Sequence, residues 1–391
     1  MSDQPDFAIA APAEPEQAAA NDAAPQVLRF TFTGSGAEYF RIWIVNLLLT
    51  VATLGIYSAW AKVRRLQYFD RNTQLAGAAF DFRGAPKAVL RGRVLALVLL
   101  AAYHYAFGFS QAVGLAVIGV LLLALPFLMR GALRFRLGNT YYRGLPFGFS
   151  GSVAGAYRAY LLPIATLLLP GVILALAPQS PLAIAAFLPY LAWPLMHAMM
   201  KRYQHAHLLY GGEQSAFDVA KRRFWRPYLV AALLALSGIL VAMVLGLVIW
   251  LLTRGAPTAV KTSTADWGEA IASLFYIVMM VYVTYVVTGP YLQVRIANLA
   301  WSHTVFRGVR IDSTLAARGF TKLQTVNVLL TLLTLGLYRP FAAVRVHRYR
   351  LAHMALHVDG DFGQLVETTA PSRPGAAGDG VADFLGVDLS W

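Results

Sequence analysis

Long apolar runs come in pairs along this chain, and short segments of alternating aromatic and polar residues punctuate the pairs. The runs lie near 94–109 and 111–129, 157–176 and 182–200, and 228–252 and 270–291. Each approaches the ~20 residues that a helix needs to cross a ~30 Å hydrocarbon core. The alternating segments read Phe30-Thr-Phe-Thr-Gly34, Phe80-Asp-Phe-Arg-Gly84 and Phe147-Gly-Phe-Ser-Gly151, with weaker echoes at Phe217 and at Val309 to Ile311. Period-two alternation closed by glycine predicts a short half-buried strand and a turn. Ahead of most copies stands Asn72-Thr73 with Gly77, Asn139-Thr140 with Gly144, His207 with Gly212, or His303-Thr304 with Gly308. The unit is therefore helix, tight turn, helix, basic exit and small β element. Its copies at 72, 139 and 207 are 67 and 68 residues apart, and the polar loop 253–269 stretches the next interval to 96.

A longer phrase recurs at the two ends. Asn46, Thr50, Thr53, Gly55, Tyr57, Val63, Arg64 and Tyr68 match Asn327, Thr331, Thr334, Gly336, Tyr338, Val344, Arg345 and Tyr349, each pair 281 apart. So many matches at one offset mark an internal repeat. The two ends are not interchangeable, because Trp60 becomes Phe341 and Ser58-Ala59 becomes Arg339-Pro340.

Composition turns these patterns into a class. The chain is 58% hydrophobic and 13% charged, with a mean hydropathy of +0.55. No soluble core hides that much apolar side chain, whereas a bilayer accepts it. The formal charge of +14 sits in loops between apolar segments rather than on a soluble face, which argues against nucleic acid. Residues 60–93, 130–158, 201–226 and 292–322 are rich in Arg and Lys, whereas the alternate loops 108–111 and 177–181 carry no charge. By the positive-inside rule the basic loops and β elements are cytoplasmic. With no cysteine there are no disulfides or thiolate metal sites.

Full crossings by both 40–58 and 323–341 would put the basic stretch Arg339 to Arg350 outside, against that rule. Re-entry at the Thr-Leu-Gly break, where Gly55 and Gly336 relax the backbone, removes the conflict. The expected fold is an all-α polytopic membrane protein of repeated transmembrane helix hairpins with small cytoplasmic β elements. It has six full spans plus two re-entrant or short spans, with eight spans as the alternative. A repeat-built domain over 26–367 lies between two disordered tails, 1–25 (acidic) and 368–391.

The phrases Asn46-Leu-Leu-Leu-Thr-x-x-Thr-Leu-Gly-Ile-Tyr-Ser-Ala-Trp-Ala-Lys-Val-Arg64, Phe30-Thr-Phe-Thr-Gly34 and Phe80-Asp-Phe resemble the bacterial YjgN-like inner-membrane family, a domain of unknown function. The resemblance runs from about Val27 to about Phe362. It implies a multi-pass protein of a Gram-negative inner membrane and brings no activity or functional residue with it.

Candidate chemistry is sparse. Asn46, Thr50 and Thr53, repeated as Asn327, Thr331 and Thr334, fall on one helical face of apolar segments. That face reads as the lining of a polar pocket, as in repeat-built transporters. It reads more readily as interhelical hydrogen bonding, worth about 0.6 kcal/mol per pair, since Thr back-bonding and Asn contacts are common in helices. Trp60, Lys62, Arg64 and Arg65, and again Arg345 and Arg348, place cations beside aromatic anchors, as contact with anionic lipid headgroups requires. His104 and His197 lie within or near spans without a carboxylate partner. His347, His353 and His357 with Asp359 and Asp361 lack a His-Glu-x-x-His pattern, so no metal or other cofactor is expected. No nucleophile or acid–base constellation appears, so an enzyme is not expected. The leading expectation is binding or transport of a small molecule or lipid through the helical core. The alternative is a scaffold that contacts anionic lipid or a cytoplasmic partner; no protein partner or oligomeric state is legible.

Overall fold

In the computed structural model, which describes residues 25–177, 179, 182–253 and 263–359, the β elements join into a single antiparallel sheet. Its strands are β1 (Gln26–Phe32), β2 (Thr73–Leu75), β3 (Ala78–Phe82), β4 (Thr140–Tyr142), β5 (Leu145–Phe149), β6 (Leu208–Tyr210), β7 (Glu213–Gln214), β8 (Ala216–Phe217), β9 (Thr304–Phe306), β10 (Val309–Ser313) and β11 (Met354–Val358). The order is β7-β6-β5-β4-β3-β2-β1-β11-β10-β9-β8. Only Ser215 separates β7 from β8, so both ends of the sheet lie on one extended stretch and the sheet is a nearly closed ring. Ser215 ties that stretch to β6, its backbone N–H donating to the Leu208 carbonyl at 2.9 Å. The hairpins β2–β3 and β4–β5 turn through Ala76-Gly77 and Arg143-Gly144, all four residues at positive φ. Those are the two central angles of a two-residue type I′ turn, which matches strand twist.

Helix pairs leave this ring and return to it. Their members are α1 (Gly36–Ala52) and α2 (Ser58–Arg71), α3 (Pro86–Phe109) and α4 (Gln111–Gly138), α5 (Val153–Leu176) with α6 (Leu182–Ala185) and α7 (Trp193–His205), α8 (Trp225–Thr253) and α9 (Ser263–Trp301), and α10 (Ala317–Leu333) and α11 (Arg339–Ala352). Among the described residues five helical stretches are long and apolar enough to cross a membrane: Pro86–Phe109, Gln111–Gly138, Val153–Leu176, Lys221–Val248 and Tyr276–Trp301. The expected sixth span, 182–200, is not one helix. It breaks into α6, a 3-10 turn over Leu188–Ala192, and α7. Pro189 and Pro194 each remove an N–H donor and crowd the preceding turn, which interrupts the α-helix. The expected tails 1–25 and 368–391 lie outside the described residues, save residue 25.

The terminal repeats fold back rather than run through. β1 before α1 pairs with β2 after α2 through Phe30 and Leu75. Likewise β10 before α10 pairs with β11 after α11 through Ile311 and Leu356. Both reversals use Leu-Gly in the left-handed region, Leu54 and Gly55 at φ 50° and 92° and Leu335 and Gly336 at 49° and 93°. Leu54 and Leu335 at these tips are 96% and 95% exposed, so each hairpin ends in a bare apolar point.

The aromatic motif is explained by the two compartments it serves. Phe30, Phe80 and Phe147 fill the interior of the ring with Leu75, Tyr142 and Leu356. Two residues on and on the same strand face, Phe32, Phe82 and Phe149 pack under the helices instead. A Cβ on Gly34, Gly84 or Gly151 would sit 2.7, 2.4 or 2.4 Å from those second rings, so the closing glycine is a close-approach residue.

The recurring Asn or His caps the returning helix. The side-chain amides of Asn72 and Asn139 donate to the carbonyls of Tyr68 and Phe135 at 2.8 and 2.7 Å. The Nδ1–H groups of His207, His303 and His353 make the same bond to Tyr203, Leu299 and Tyr349 at 3.0, 2.9 and 2.8 Å. Carbonyl acceptors fix the proton on Nδ1. Asn and His alternate at this position because each places a donor on an orphan carbonyl of the last turn.

Candidate functional site

Three cavities meet where the helices stand on the ring. The ring interior holds one of about 230 Å³, walled by Phe30, Phe80, Tyr142, Phe147, Tyr210 and Leu356. A second of about 330 Å³ lies between α2 and α11, with α4, α9 and α10 closing it. The third, about 460 Å³, lies among α4, α5, α7, α8 and α9 and is lined by Tyr160, His197, Lys201, Gln204 and Tyr228. The first two share Asp70, Arg136 and His347 in their walls. The second and third share Gln293 and Arg350.

An ion pair stands at this junction. Both guanidinium Nη atoms of Arg136 reach the Asp70 carboxylate, at 3.2 and 3.3 Å. The side chains are only 11% and 12% exposed, and the Arg136 guanidinium also lies 4.9 Å from the centre of the Phe82 ring. The pairing joins α2 to α4, which belong to successive hairpins.

His347 on α11 faces the same junction. Its Nε2 is 3.0 Å from the Thr73 hydroxyl, which donates its own proton to the Phe69 carbonyl, so the imidazole is the donor to Thr73. Burial first, and then the positive charges of Arg350, Arg65 and Arg136, push its pKa down to about 3. The ring is neutral at pH 7 while the guanidiniums around it stay charged. His205 repeats the arrangement, with Nδ1 3.0 Å from a Thr304 hydroxyl that donates to Ala300. Burial and then Lys201 hold it well below the ordinary range.

The residues singled out from the sequence distribute differently. All four threonine hydroxyls bond to their own helices: Thr50 and Thr331 to the carbonyls of Asn46 and Asn327 at 2.6 Å, Thr53 and Thr334 to those of Leu49 and Leu330 at 2.7 Å. Thr53 and Thr334 also accept from the N–H of Tyr57 and Tyr338 at 2.9 Å, capping the returning helices. None of the six residues lines the three cavities just described. Asn46 and Asn327 are nevertheless buried, 6% and 3% exposed, and Oδ1 of Asn46 with both amide atoms of Asn327 have no hydrogen-bond partner.

Of the headgroup candidates, Arg65 lines the middle cavity and Arg348 donates to the Gly34 carbonyl at 2.9 Å. Arg64 stands over Tyr57, which stacks with Trp60, and Arg345 donates to the Tyr338 hydroxyl, whose ring stacks on Phe341. Lys62 lies one turn before Leu66 on the same helix. Asp70, Arg136, His347 and Arg350 escaped sequence reasoning as a group. A signal existed: Arg136, Gln204 and Arg350 each stand three residues before the capping Asn139, His207 or His353. Aligning the copies on that cap exposes the polar position. Among the described residues no group of three His, Asp or Glu side chains is placed to hold a metal ion.

Residues 27–384 match the family model described as "Bacterial protein of unknown function (DUF898)". The chain is similar to "Inner membrane protein YjgN" of Salmonella typhimurium, 32% identical over 138 residues, and of Escherichia coli K12, 31% identical over 142 residues. Each match spans 34% of this chain and 34% of the relative, so about a third of either protein is compared. No solved structure matches.

Proposed function

The chain belongs to the DUF898 family of bacterial proteins and is an integral protein of the bacterial inner membrane, and from that premise we propose that its helical core binds and passes a small molecule or lipid, without catalysis. The observation that carries this reading is the series of three cavities, two sharing walls at the Asp70–Arg136 pair and the middle one meeting the third at Gln293 and Arg350. A buried charged pair between cavities is costly to desolvate, and such polar groups in clefts are candidates for ligand contact.

The architecture we infer is five copies of one helix-pair unit set around the ring. The pairs α1–α2 and α10–α11 enter the membrane partway, their bare leucine tips dissolved in lipid, and return. In that arrangement the ring and the basic loops face the cytoplasm. A periplasmic reporter fused at the C-terminus is then expected to stay inactive, and the same reporter inserted between α8 and α9 to be active. Activity at the C-terminus overturns the orientation.

Asn46 and Asn327 enter the proposal as polar contacts for a ligand at the level of the hairpins, since a buried amide without a partner needs an explanation. The test is native mass spectrometry of the detergent-purified protein beside Asn46→Leu/Asn327→Leu and beside Ala297→Trp, which narrows the largest of the three cavities described above. A defined mass on wild type that leaves both variants supports the reading. If wild type carries no defined ligand, core binding is rejected. If the double leucine variant keeps the ligand and merely unfolds at a higher temperature, the asparagines are a packing cost and not a site.

A second reading, a scaffold on anionic lipid, draws on the Tyr57–Trp60–Arg64 and Tyr338–Phe341–Arg345 clusters. Strand addition of a cytoplasmic partner is less favoured, because the two end strands, β7 and β8, are only two residues long each.

A further inference from the structure

We propose that the interior of the β ring is a binding site for the end of a hydrocarbon chain. This deepens the core-binding reading and rests on it, because the ring cavity is one of the three chambers behind that reading. The space exists because the aromatic motif is incomplete. Phe30, Phe80 and Phe147 hold the first position of the motif and fill the ring. The same position is Val309 in β10, and Ser215, two residues before Phe217, between β7 and β8. Two of the five copies thus bring no aromatic ring to the interior, and a cavity of about 230 Å³ remains. Phe30, Phe80, Phe147, Tyr210 and Val309 are only half-buried within the paired strands, since that space reaches them.

The walls select an uncharged group. Phe80 stacks with Phe30 at 6.2 Å, with Tyr142 at 4.6 Å and with Phe147 at 6.1 Å. Faces that lie against other rings do not form the cage a cation needs. The Tyr142 hydroxyl donates to the Leu75 carbonyl at 2.7 Å, and the Tyr210 hydroxyl to the Tyr142 carbonyl at 3.2 Å. At the helix end Arg136 holds Asp70, and the hydroxyls of Thr73 and Thr140 donate to the carbonyls of Phe69 and Arg136. Leu75, Leu208, Val309, Ile311 and Leu356 add aliphatic wall. An ordered water needs roughly two to four polar partners, which these walls do not offer, whereas a hydrocarbon group packs against them.

Size selects the end of a chain rather than a whole ligand. The cavity exceeds the roughly 150 Å³ at which an apolar cavity stays dry and takes up benzene. It is smaller than the roughly 300–1,000 Å³ that encloses an entire small molecule. The polar part of the ligand then stays outside, and charged residues stand at both exits to meet it. Asp70 and Arg136 lie where the ring meets the middle cavity, Arg307 in the β9–β10 turn and Glu213 beside the β6–β7 turn. Two sources offer this chemistry, a membrane phospholipid and a soluble fatty acid.

The full chain is placed in nanodiscs of phosphatidylglycerol and phosphatidylcholine and irradiated with one of two probes. One is phosphatidylcholine with a diazirine at the end of an acyl chain; the other is dodecanoic acid with the same terminal group. Peptide mass spectrometry locates the cross-links, and labelling of α3 by the lipid probe shows that it is present. The variant is Val309→Phe, which restores the ring that three other copies carry. Cross-links on β3 to β6 of wild type, reduced about tenfold or more where the added ring overpacks the cavity, support the site. Their appearance with the lipid probe makes the membrane the source, and with the fatty acid alone a soluble molecule.

If Val309→Phe does not fold, excess 1-dodecanol is added to wild type, and loss of the ring cross-links is read the same way. Absence of ring cross-links with both probes, or cross-links that the variant or the competitor leaves unchanged, overturns the site. The core-binding reading fails separately. Where ring cross-links are absent and Ala297→Trp still sheds a ligand from the larger cavity, this site falls and that reading stands.

Discussion

Asp70→Ala is expected to lower the stability of the detergent-solubilised protein by about 3–5 kcal/mol, the cost of leaving a buried partner charge uncompensated. The carboxylate holds both Nη atoms of Arg136, and each side chain is nearly nine-tenths covered. Removing it strands a guanidinium between the Phe82 ring and the two cavities, where water reaches it poorly. The double substitution Asp70→Leu/Arg136→Met removes both charges and is expected to recover much of the loss, because an apolar pair of similar volume carries no desolvation cost. Thermal unfolding of the three proteins decides the matter. Equal midpoints for Asp70→Ala and wild type would show that Arg136 finds another partner and that the junction is not organised by this pair.

The second large effect is expected at Gly84. Its replacement by alanine puts a Cβ 2.4 Å from Cζ of Phe82 and 3.0 Å from Cζ of Phe135. Neither ring has room to yield, since Phe82 is fully buried and Phe135 nearly so against Ala59, Val63 and Leu66. Overpacking of this kind costs about 1–3 kcal/mol, read as a lower unfolding midpoint. Gly119→Ala in α4 is the matched control. Its Cβ meets nothing within 4 Å, so the change adds helix propensity without a clash. If both alanines leave the midpoint where it was, close approach at the end of the aromatic motif is not why glycine stands there.

The motif at Gly84 also shows how far the chain could be read without its fold. Phe80-Asp-Phe-Arg-Gly84 announced a strand and a turn, and the strand formed over Ala78–Phe82. Period-two alternation reports that one face is buried, and that much is local. It does not report that the face is divided between the inside of a ring and the underside of a helix layer. Phe80 and Phe82 look alike in sequence, and only their neighbours from β4, α2 and α4 assign them.

The same limit applies to the candidate site. The Asn46 and Asn327 face was visible because i, i+4 and i+7 polar residues stand out in an apolar helix. Four of its six polar side chains then turned out to serve their own backbone, which a threonine does whenever no better acceptor is near. Asp70 and Arg136 are 66 residues apart and meet because β3 pairs with β4, carrying the ends of α2 and α4 together. No spacing rule connects them.

Sequence by itself therefore determined the membrane class, the order of paired helices and short strands, and the glycine-bearing reversals at Gly55 and Gly336. These follow from hydropathy, period and backbone sterics, which are properties of neighbours along the chain. Tertiary structure alone decided that the strands close into a ring and that charges from three elements converge on one cavity. Those outcomes depend on pairings across tens to hundreds of residues, whose energies are set by the surroundings each side chain meets only after the chain has folded.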